Sequence, residues 1–195
     1  MTTIYLIRHG QASFGAESYD QLSPNGELQA KLLGSYFDSI LKEAPVVMAG
    51  SMQRHQQTAQ LCLDECFPES ELITNPAWNE FNHTQVFARY EPRFNQPELL
   101  KEDVAQHANP RAYLSKIFEG AIERWTGGDY HHEYEESWPD FKNRVESALQ
   151  DLCDELAEKR PRYAVVFTSG GVISVAAGKI LGLSPSKTFA LNWAI

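Results

Sequence analysis

Ile4-Tyr5-Leu6-Ile7 runs directly into Arg8-His9-Gly10-Gln11 near the start of the chain. Four consecutive β-branched, aromatic and aliphatic residues read as a buried parallel strand, and the glycine just beyond lets the backbone turn close to a ligand. The strand therefore delivers an arginine and a histidine to its carboxyl end, where open α/β sheets bind their ligands. Arginine presents a planar fork of donors that matches phosphate oxygens. A neutral, well-aimed imidazole beside it can act as a nucleophile. The pair points to phosphoryl chemistry through a histidine.

The same pattern recurs further along. Ser23-Pro24 begins a helix that carries Glu27, Leu28, Ala30, Leu32, Leu33 and Phe37, with apolar residues at helical spacing. Pro45 precedes a second apolar run, Val46-Val47-Met48-Ala49-Gly50, and Ser51 is the expected N-cap of a helix through Arg54, Thr58, Leu61 and Cys62. A short strand at Leu72-Ile73 leads to the loop Trp78-Asn79-Glu80-Phe81. From about Thr84 to Ser137 the alternation breaks. This segment holds Pro92, Pro97, Pro110, Gly127-Gly128 and two amphipathic stretches, around Glu98–His107 and Arg111–Arg124, and reads as a helical lid inserted into the domain. Ser137-Trp138-Pro139-Asp140 opens a long helix through Phe141, Val145, Leu149, Leu152 and Leu156. Tyr163–Thr168 is the clearest strand, and Ser169-Gly170-Gly171 turns it into a last helix ending near Leu181-Gly182. Alternating strands and helices predict an α/β three-layer sandwich, a mainly parallel sheet covered on both faces.

Composition sets outer bounds. With 195 residues and 43% hydrophobic content, residues 1–195 are expected to form one domain carrying the lid. The net charge of -9 argues against nucleic acid and anionic membrane surfaces as partners, so an anionic substrate has to be drawn in by a local basic pocket. Cys62, Cys66 and Cys153 have neither metal-ligand nor redox spacing, which fits a reducing cytoplasm; Cys62 and Cys66 lie one helical turn apart and read as core thiols. No apolar stretch reaches membrane-spanning length, and no charged region followed by an apolar one marks a signal peptide.

Three strands thus end in polar groups: Arg8 and His9, Ser51 and Arg54, and Ser169 with Gly170-Gly171. Parallel neighbours would bring these ends to one rim, where two guanidinium groups and a glycine-marked helix N-terminus make an oxyanion cradle. Read residue by residue, surface arginines and a satisfied core histidine remain the alternative.

The stretch Ile4–Gln11, the segment Ser51-Met52-Gln53-Arg54-His55-Gln56-Gln57-Thr58-Ala59, and Asp20-Gln21-Leu22-Ser23-Pro24-Asn25-Gly26 with Gln29-Ala30 together resemble the histidine phosphatase superfamily, the phosphoglycerate mutase-like proteins. The resemblance spans nearly the whole chain. It implies that His9 is the residue phosphorylated, that Arg8 and Arg54 bind the phosphoryl group, and that Glu80 is the general acid and base. Gln11 would border the phosphate pocket or serve as a local hydrogen bonder. The implied function is hydrolysis of a phosphomonoester, without cofactor or metal, on a small-molecule phosphate ester or phosphorylated ligand. A mutase is disfavoured by the short lid with its many acidic residues.

One departure stands out. The family carries a second histidine after its last strand, donating to the phosphoryl group, where this chain has Ser169. A hydroxyl still donates but brings no charge and reaches less far; losing one oxyanion-type donor typically costs about 2.7–4 kcal/mol of transition-state stabilisation. This predicts a slow or specialised enzyme, or a catalytically impaired member that binds a phosphorylated ligand or protein. His55 and His83 are candidates to replace the missing imidazole, although neither lies at a strand end. His131-His132-Glu133 has a metal-like composition but reads as a solvated loop. Trp125 and Trp138 read as lid and core anchors. Finally, Phe189–Ile195 reads as the beginning of a strand, and if the polypeptide ends there an incomplete sheet edge leaves room for an oligomer in which a neighbouring chain covers it.

Overall fold

A computed structural model of the chain describes residues 1–13, 20–192 and 195. Its elements run β1 (Thr3–Arg8), α1 (Pro24–Ile40), β2 (Val46–Ala49), α2 (Gln53–Cys66), β3 (Leu72–Thr74), α3 (His83–Tyr90), α4 (Pro97–Gln106), α5 (Pro110–Thr126), α6 (Trp138–Lys159), β4 (Tyr163–Thr168), α7 (Gly170–Leu181) and α8 (Pro185–Leu191). The strands form one sheet in the order β1-β4-β2-β3, with every pairing parallel. This is the mixed α/β sandwich that the sequence predicts.

The two faces of the sheet follow from the period of two along the strands. Val165 and Phe167 of β4, with Val47 and Ala49 of β2, pack against Phe37, Ala59, Cys62 and Leu63 of α1 and α2. Ala164, Val166 and Met48 point the other way, into a larger cluster with Trp125, Trp138, Phe141, Val145, Leu152, Val172 and Phe189. Central β4 is buried from Ala164 to Thr168, as a strand covered on both faces must be. The aromatic centre of the larger cluster is tight: Phe81 lies 4.6 Å from Trp125 and 5.5 Å from Phe141, ring centre to ring centre. Trp125 and Trp138 are both core residues, and the Trp125 indole N–H donates to the Glu136 carbonyl at 3.0 Å.

Helix starts follow local chemistry. Ser23 accepts from the Gly26 N–H at 3.1 Å with Pro24 in the first turn, and Ser137 forms a reciprocal capping box with Asp140 ahead of α6. The segment from 84 to 137 is helical, with α4 and α5 on its two amphipathic stretches. Gly182 ends α7 in the left-handed conformation at φ 64°.

Three local expectations are corrected. Ser51 does not cap α2; the helix begins one residue later with Met52 at the cap position, and the Gln53 N–H is satisfied by Asp20 Oδ2 at 2.8 Å. Leu28 and Leu32 of α1 do not face the core. The buried face is Gly26, Ala30, Gly34 and Phe37, because a side chain at Gly34 would overlap the Cys62 carbonyl, and α1 and α2 approach on small residues. The C-terminal segment is not a strand: residues 185–191 form α8, begun by Ser184-Pro185, and Phe189 is drawn into the aromatic cluster 5.2 Å from Trp138. Trp193 and Ala194 of that segment lie outside the described residues. Among the described residues, no helix is long and apolar enough to cross a membrane.

Candidate active site

Strand register brings three carboxyl ends together. Arg8 is opposite Thr168 in the β1–β4 pair and Ala49 is opposite Phe167 in the β2–β4 pair. The ladder runs one residue further on both sides, with the His9 N–H donating to the Thr168 carbonyl at 2.9 Å and the Gly50 N–H to the Phe167 carbonyl at 3.1 Å. His9, Gly50 and Ser169 therefore leave the sheet side by side. Gly10 continues past His9 by donating its N–H to Thr58 Oγ1 at 3.1 Å, and it passes so close to Gly26 that a side chain would overlap the Gly26 carbonyl. Glycine is required there for contact, not for φ.

The His9 ring is oriented on both edges. Nδ1 lies 2.7 Å from the Gly10 carbonyl, an acceptor, so it carries the hydrogen, and Nε2 presents its lone pair. That lone pair receives the Arg54 Nε–H at 3.2 Å. Burial, helped by the nearby Arg54 and Arg8 charges and opposed by the Gly10 hydrogen bond, pulls the His9 pKa down to about 4. The imidazole is thus neutral at neutral pH, with its unprotonated nitrogen beside a guanidinium.

Arg54 itself is buried at the start of α2, and its Nη1 pairs with Asp20 Oδ1 at 2.6 Å. Arg8 is exposed, and its Nη1 donates to the Ile195 carbonyl at 3.0 Å. Gln11 turns away from the rim: its side-chain oxygen accepts from Ser23 Oγ at 2.9 Å and Asn25 Nδ2 at 3.2 Å, tying the loop to the start of α1.

Glu80 reaches the same place from the loop after β3. Its Oε2 accepts from the Gly171 N–H at 3.0 Å and its Oε1 from the Phe81 N–H at 3.2 Å. Burial is the largest influence on the carboxyl and raises its pKa against those two hydrogen bonds and the pull of Arg54 and Arg8. The Gly171 amide, expected from the sequence to face an anion together with Gly170, is therefore engaged by Glu80. Gly170 is packed under Asn192 and next to the Arg8 guanidinium, where a side chain would overlap the Asn192 amide oxygen.

The buried Ser169 hydroxyl lies 2.6 Å from His55 Nε2, and the His55 and His9 rings are 5.6 Å apart. His83, in the first turn of α3, packs edge-on against Phe87 at 6.2 Å. His55, one of the two histidines weighed as replacements, is thus in contact with Ser169. In the His131-His132-Glu133 turn, Glu133 is held by Arg124 at 2.7 Å.

Several residues that build this site have roles that the sequence does not disclose. Asn79 clips the two loops together, accepting the Ser51 N–H at 2.7 Å and donating to Ser51 Oγ at 2.8 Å. Arg144 of α6 donates from Nη1 to the carbonyls of Ala77 at 2.8 Å and Asn79 at 2.9 Å, while Glu136 holds its other edge at 2.6 and 2.9 Å. Thr168 Oγ1 donates to the Trp78 carbonyl at 2.5 Å, fastening the loop to the end of β4. Asp20 is the fourth. It stands in a motif segment, but its bond to Arg54 depends on a loop path that spacing does not disclose.

A nucleophilic nitrogen, two guanidinium groups and a carboxyl with a raised pKa on one rim can support phosphoryl transfer. The chain belongs to the histidine phosphatase superfamily, branch 1, whose model matches residues 4–112 and 108–194. Phosphatase or mutase-type activity is the class of chemistry this membership indicates. A search of curated protein sequences gave no match. Among solved structures, the chain is similar to the α-ribazole phosphatase of Shigella flexneri, at 20% identity over 96% of this chain and 83% of that one, TM-score 0.62. It is also similar to a phosphoglycerate mutase of Bacillus anthracis, at 17% identity over 91% and 79%, TM-score 0.62. A phosphoserine phosphatase of Entamoeba histolytica in complex with 3-phosphoglyceric acid matches at 17% identity over 97% and 85%, TM-score 0.61. At these identities the likeness is one of fold.

Proposed function

We propose that this protein hydrolyses phosphomonoesters of small molecules through a phosphohistidine at His9. The observation that carries this reading is the fixed tautomer of His9: Nδ1 is committed to the Gly10 carbonyl, and the opposite nitrogen is unprotonated beside the Arg54 guanidinium.

In the first step the His9 Nε2 lone pair forms a bond to phosphorus as the bond to the ester oxygen breaks, in line. Glu80, protonated because its pKa is raised, gives its proton to the departing alkoxide. In the second step water attacks phosphorus, its proton passes to the now ionised Glu80, and the P–N bond breaks to return the lone pair to Nε2. Inorganic phosphate leaves and both residues regain their starting states. Arg8 and Arg54 supply positive charge to the phosphoryl oxygens throughout, Arg54 moving its Nε–H from His9 Nε2, and part of its contact with Asp20, onto the substrate, which frees the lone pair for attack. The Gly170 amide at the start of α7 and the Ser169 hydroxyl complete the cradle, without a metal ion or organic cofactor. Residues 1–195 act as one domain, and the helices between about 84 and 137 form the lid that selects the organic part of the ester. The phosphoserine phosphatase among the structural neighbours, solved with 3-phosphoglyceric acid, supports a small phosphorylated substrate.

Ser169 favours a second reading, a member that binds phosphorylated ligands without turning them over. A generic aryl phosphate assay on wild type and His9→Ala, with acid quench to trap an acid-labile, base-stable phosphoenzyme, separates the two. Turnover and phosphoenzyme that both vanish in His9→Ala support hydrolysis; phosphate binding with neither signal in wild type overturns it.

A further inference from the structure

His55 is buried at the first turn of α2, one residue after Arg54, yet it is not part of the apolar core of that helix. Its Nε2 lies 2.6 Å from Ser169 Oγ, and Nδ1 is buried with no hydrogen-bond partner among the described residues. On that side the ring lies against Gly50, where a side chain would overlap Nδ1. The two tautomers are therefore unequal. With hydrogen on Nδ1, a donor would be buried against Gly50 with nothing to accept it; with hydrogen on Nε2, the ring donates to Ser169 and leaves only a bare lone pair unpaired. An orphaned N–H is the rarer and costlier defect in folded proteins. His55 is the Nε2–H donor.

The consequence falls on Ser169. Its oxygen is occupied by the imidazole, and although it stands at the N-cap of α7 its side chain makes no capping bond. Its own hydrogen therefore points away from His55, and the open direction is the rim that it shares with His9, whose ring lies 5.6 Å from that of His55.

We propose that His55 and Ser169 act together as the second phosphoryl-binding group of the pocket: His55 donates from Nε2 to the Ser169 oxygen, and the hydroxyl passes its own hydrogen to a phosphoryl oxygen held at His9. This inference rests on the phosphohistidine reading given above. His55 is a positioning residue that acts through the hydroxyl, restoring from an adjacent helix the imidazole that the last strand lacks. Donation into Oγ polarises the O–H bond and makes the serine a better donor than it is alone. Burial and the Arg54 charge hold His55 neutral, with a pKa lowered to about 3, so the arrangement persists through the neutral range.

The test is a set of variants read by vanadate calorimetry and by turnover of an aryl phosphate. His55→Phe keeps the ring volume and removes the donor; Ser169→Ala removes the relay; His55→Gln places an amide N–H near the former Nε2. The expected result is a loss of about 10²-fold in turnover, with weaker vanadate binding, for His55→Phe and for Ser169→Ala. The double variant should be no worse than either single one, since both act through one hydrogen bond. His55→Gln should recover part of the loss. Wild-type affinity and turnover in folded His55→Phe, or losses that add in the double variant, would overturn the proposal. If His55→Phe does not fold, nitrogen-15 spectra of the wild-type histidines decide. An Nε2–H tautomer at His55 whose signal moves on adding vanadate in wild type, but not in Ser169→Ala, supports the relay; an Nδ1–H tautomer rules it out. Failure of the underlying reading looks different: wild type would then bind vanadate yet show neither turnover nor a phosphoenzyme.

Discussion

Glu80 and Gly171 are locked together across the cleft: the Gly171 N–H holds one carboxylate oxygen at 3.0 Å, and the other lies where a Cβ on residue 171 would have to be. The absence of a side chain at 171 therefore sets the position of the Glu80 carboxyl. Gly171→Ala should fold, since α7 gains a better helix former, but it should push Glu80 aside and lower turnover by about 10²-fold. Kinetics beside thermal melting check both parts; full activity with an unchanged melting temperature would mean that Glu80 has room to move.

Arg8 and Arg54 are expected to carry anion affinity. Loss of a charge-assisted hydrogen bond corresponds to about 1.5–3 kcal/mol, so Arg8→Ala and Arg54→Ala should each weaken vanadate binding in calorimetry by that amount. Arg54→Ala should do more harm, because it also removes the donor that orients His9 Nε2. Unchanged binding in both variants would place the anion elsewhere.

Arg144 fixes the backbone that presents Glu80 without reaching the pocket itself, through the Ala77 and Asn79 carbonyls. Arg144→Ala should leave vanadate affinity close to wild type and reduce turnover by up to about 10²-fold, the usual result of misplacing a reacting group by an ångström. Equal losses in binding and turnover would show that the loop shapes the phosphate site as a whole.

The pH profile has a defined sign. The proposed first step needs His9 neutral and Glu80 protonated. Because the His9 pKa is lowered to about 4, activity should hold through pH 6.5 on the acid side, where an ordinary histidine would already be half charged. The alkaline fall should follow Glu80, above the normal carboxylate range, and Glu80→Gln should remove that limb from whatever activity remains. An acid limb near pH 6.5 in kcat/KM would contradict the environment assigned to His9.

Stability follows from the same shifts. His9 and His55 have pKa values lowered in the folded state to about 4 and about 3, so the unfolded chain binds more protons below pH 6.5, and their contribution is present above that pH and lost as it falls towards 3. Glu80, whose pKa is raised, works in the opposite sense, its contribution diminishing as pH rises through the folded value. Urea titrations of wild type and His55→Gln from pH 7 to about pH 4 should show a shallower decline in the variant. Parallel declines would mean that His55 is not the buried neutral group described.

Much of this was legible in the chain. Ile4–Ile7 and Tyr163–Thr168 read as strands because apolar runs bounded by turn residues have few other uses, and Ser137-Trp138-Pro139-Asp140 announces its helix through capping chemistry. What resisted reading depends on neighbours remote in sequence. Leu28 and Leu32 satisfy helical periodicity yet face outward, since α1 packs through Ala30 and Gly34 where closeness, not apolar bulk, decides. Arg144 finds the backbone it braces in the loop after β3, remote in sequence, and nothing in its periodicity marks that role. His55 does not stand at a strand end, which hides it in the sequence; a side chain from a helix's first turn reaches the same rim.

The order β1-β4-β2-β3 also bears on how the molecule comes into being. β4, the last strand to be synthesised, lies between the first two, so residues 3–8 and 46–49 have no common sheet until residues 163–168 arrive. Such distant pairings carry a high loop-closure entropy and make for slow assembly. During synthesis, the His9 N–H waits for its partner, the Thr168 carbonyl, for most of the chain's length. The rim that gathers His9, Gly50 and Ser169 is therefore the last part of the sheet to close, and the anion site proposed there can form only once the final crossover is threaded.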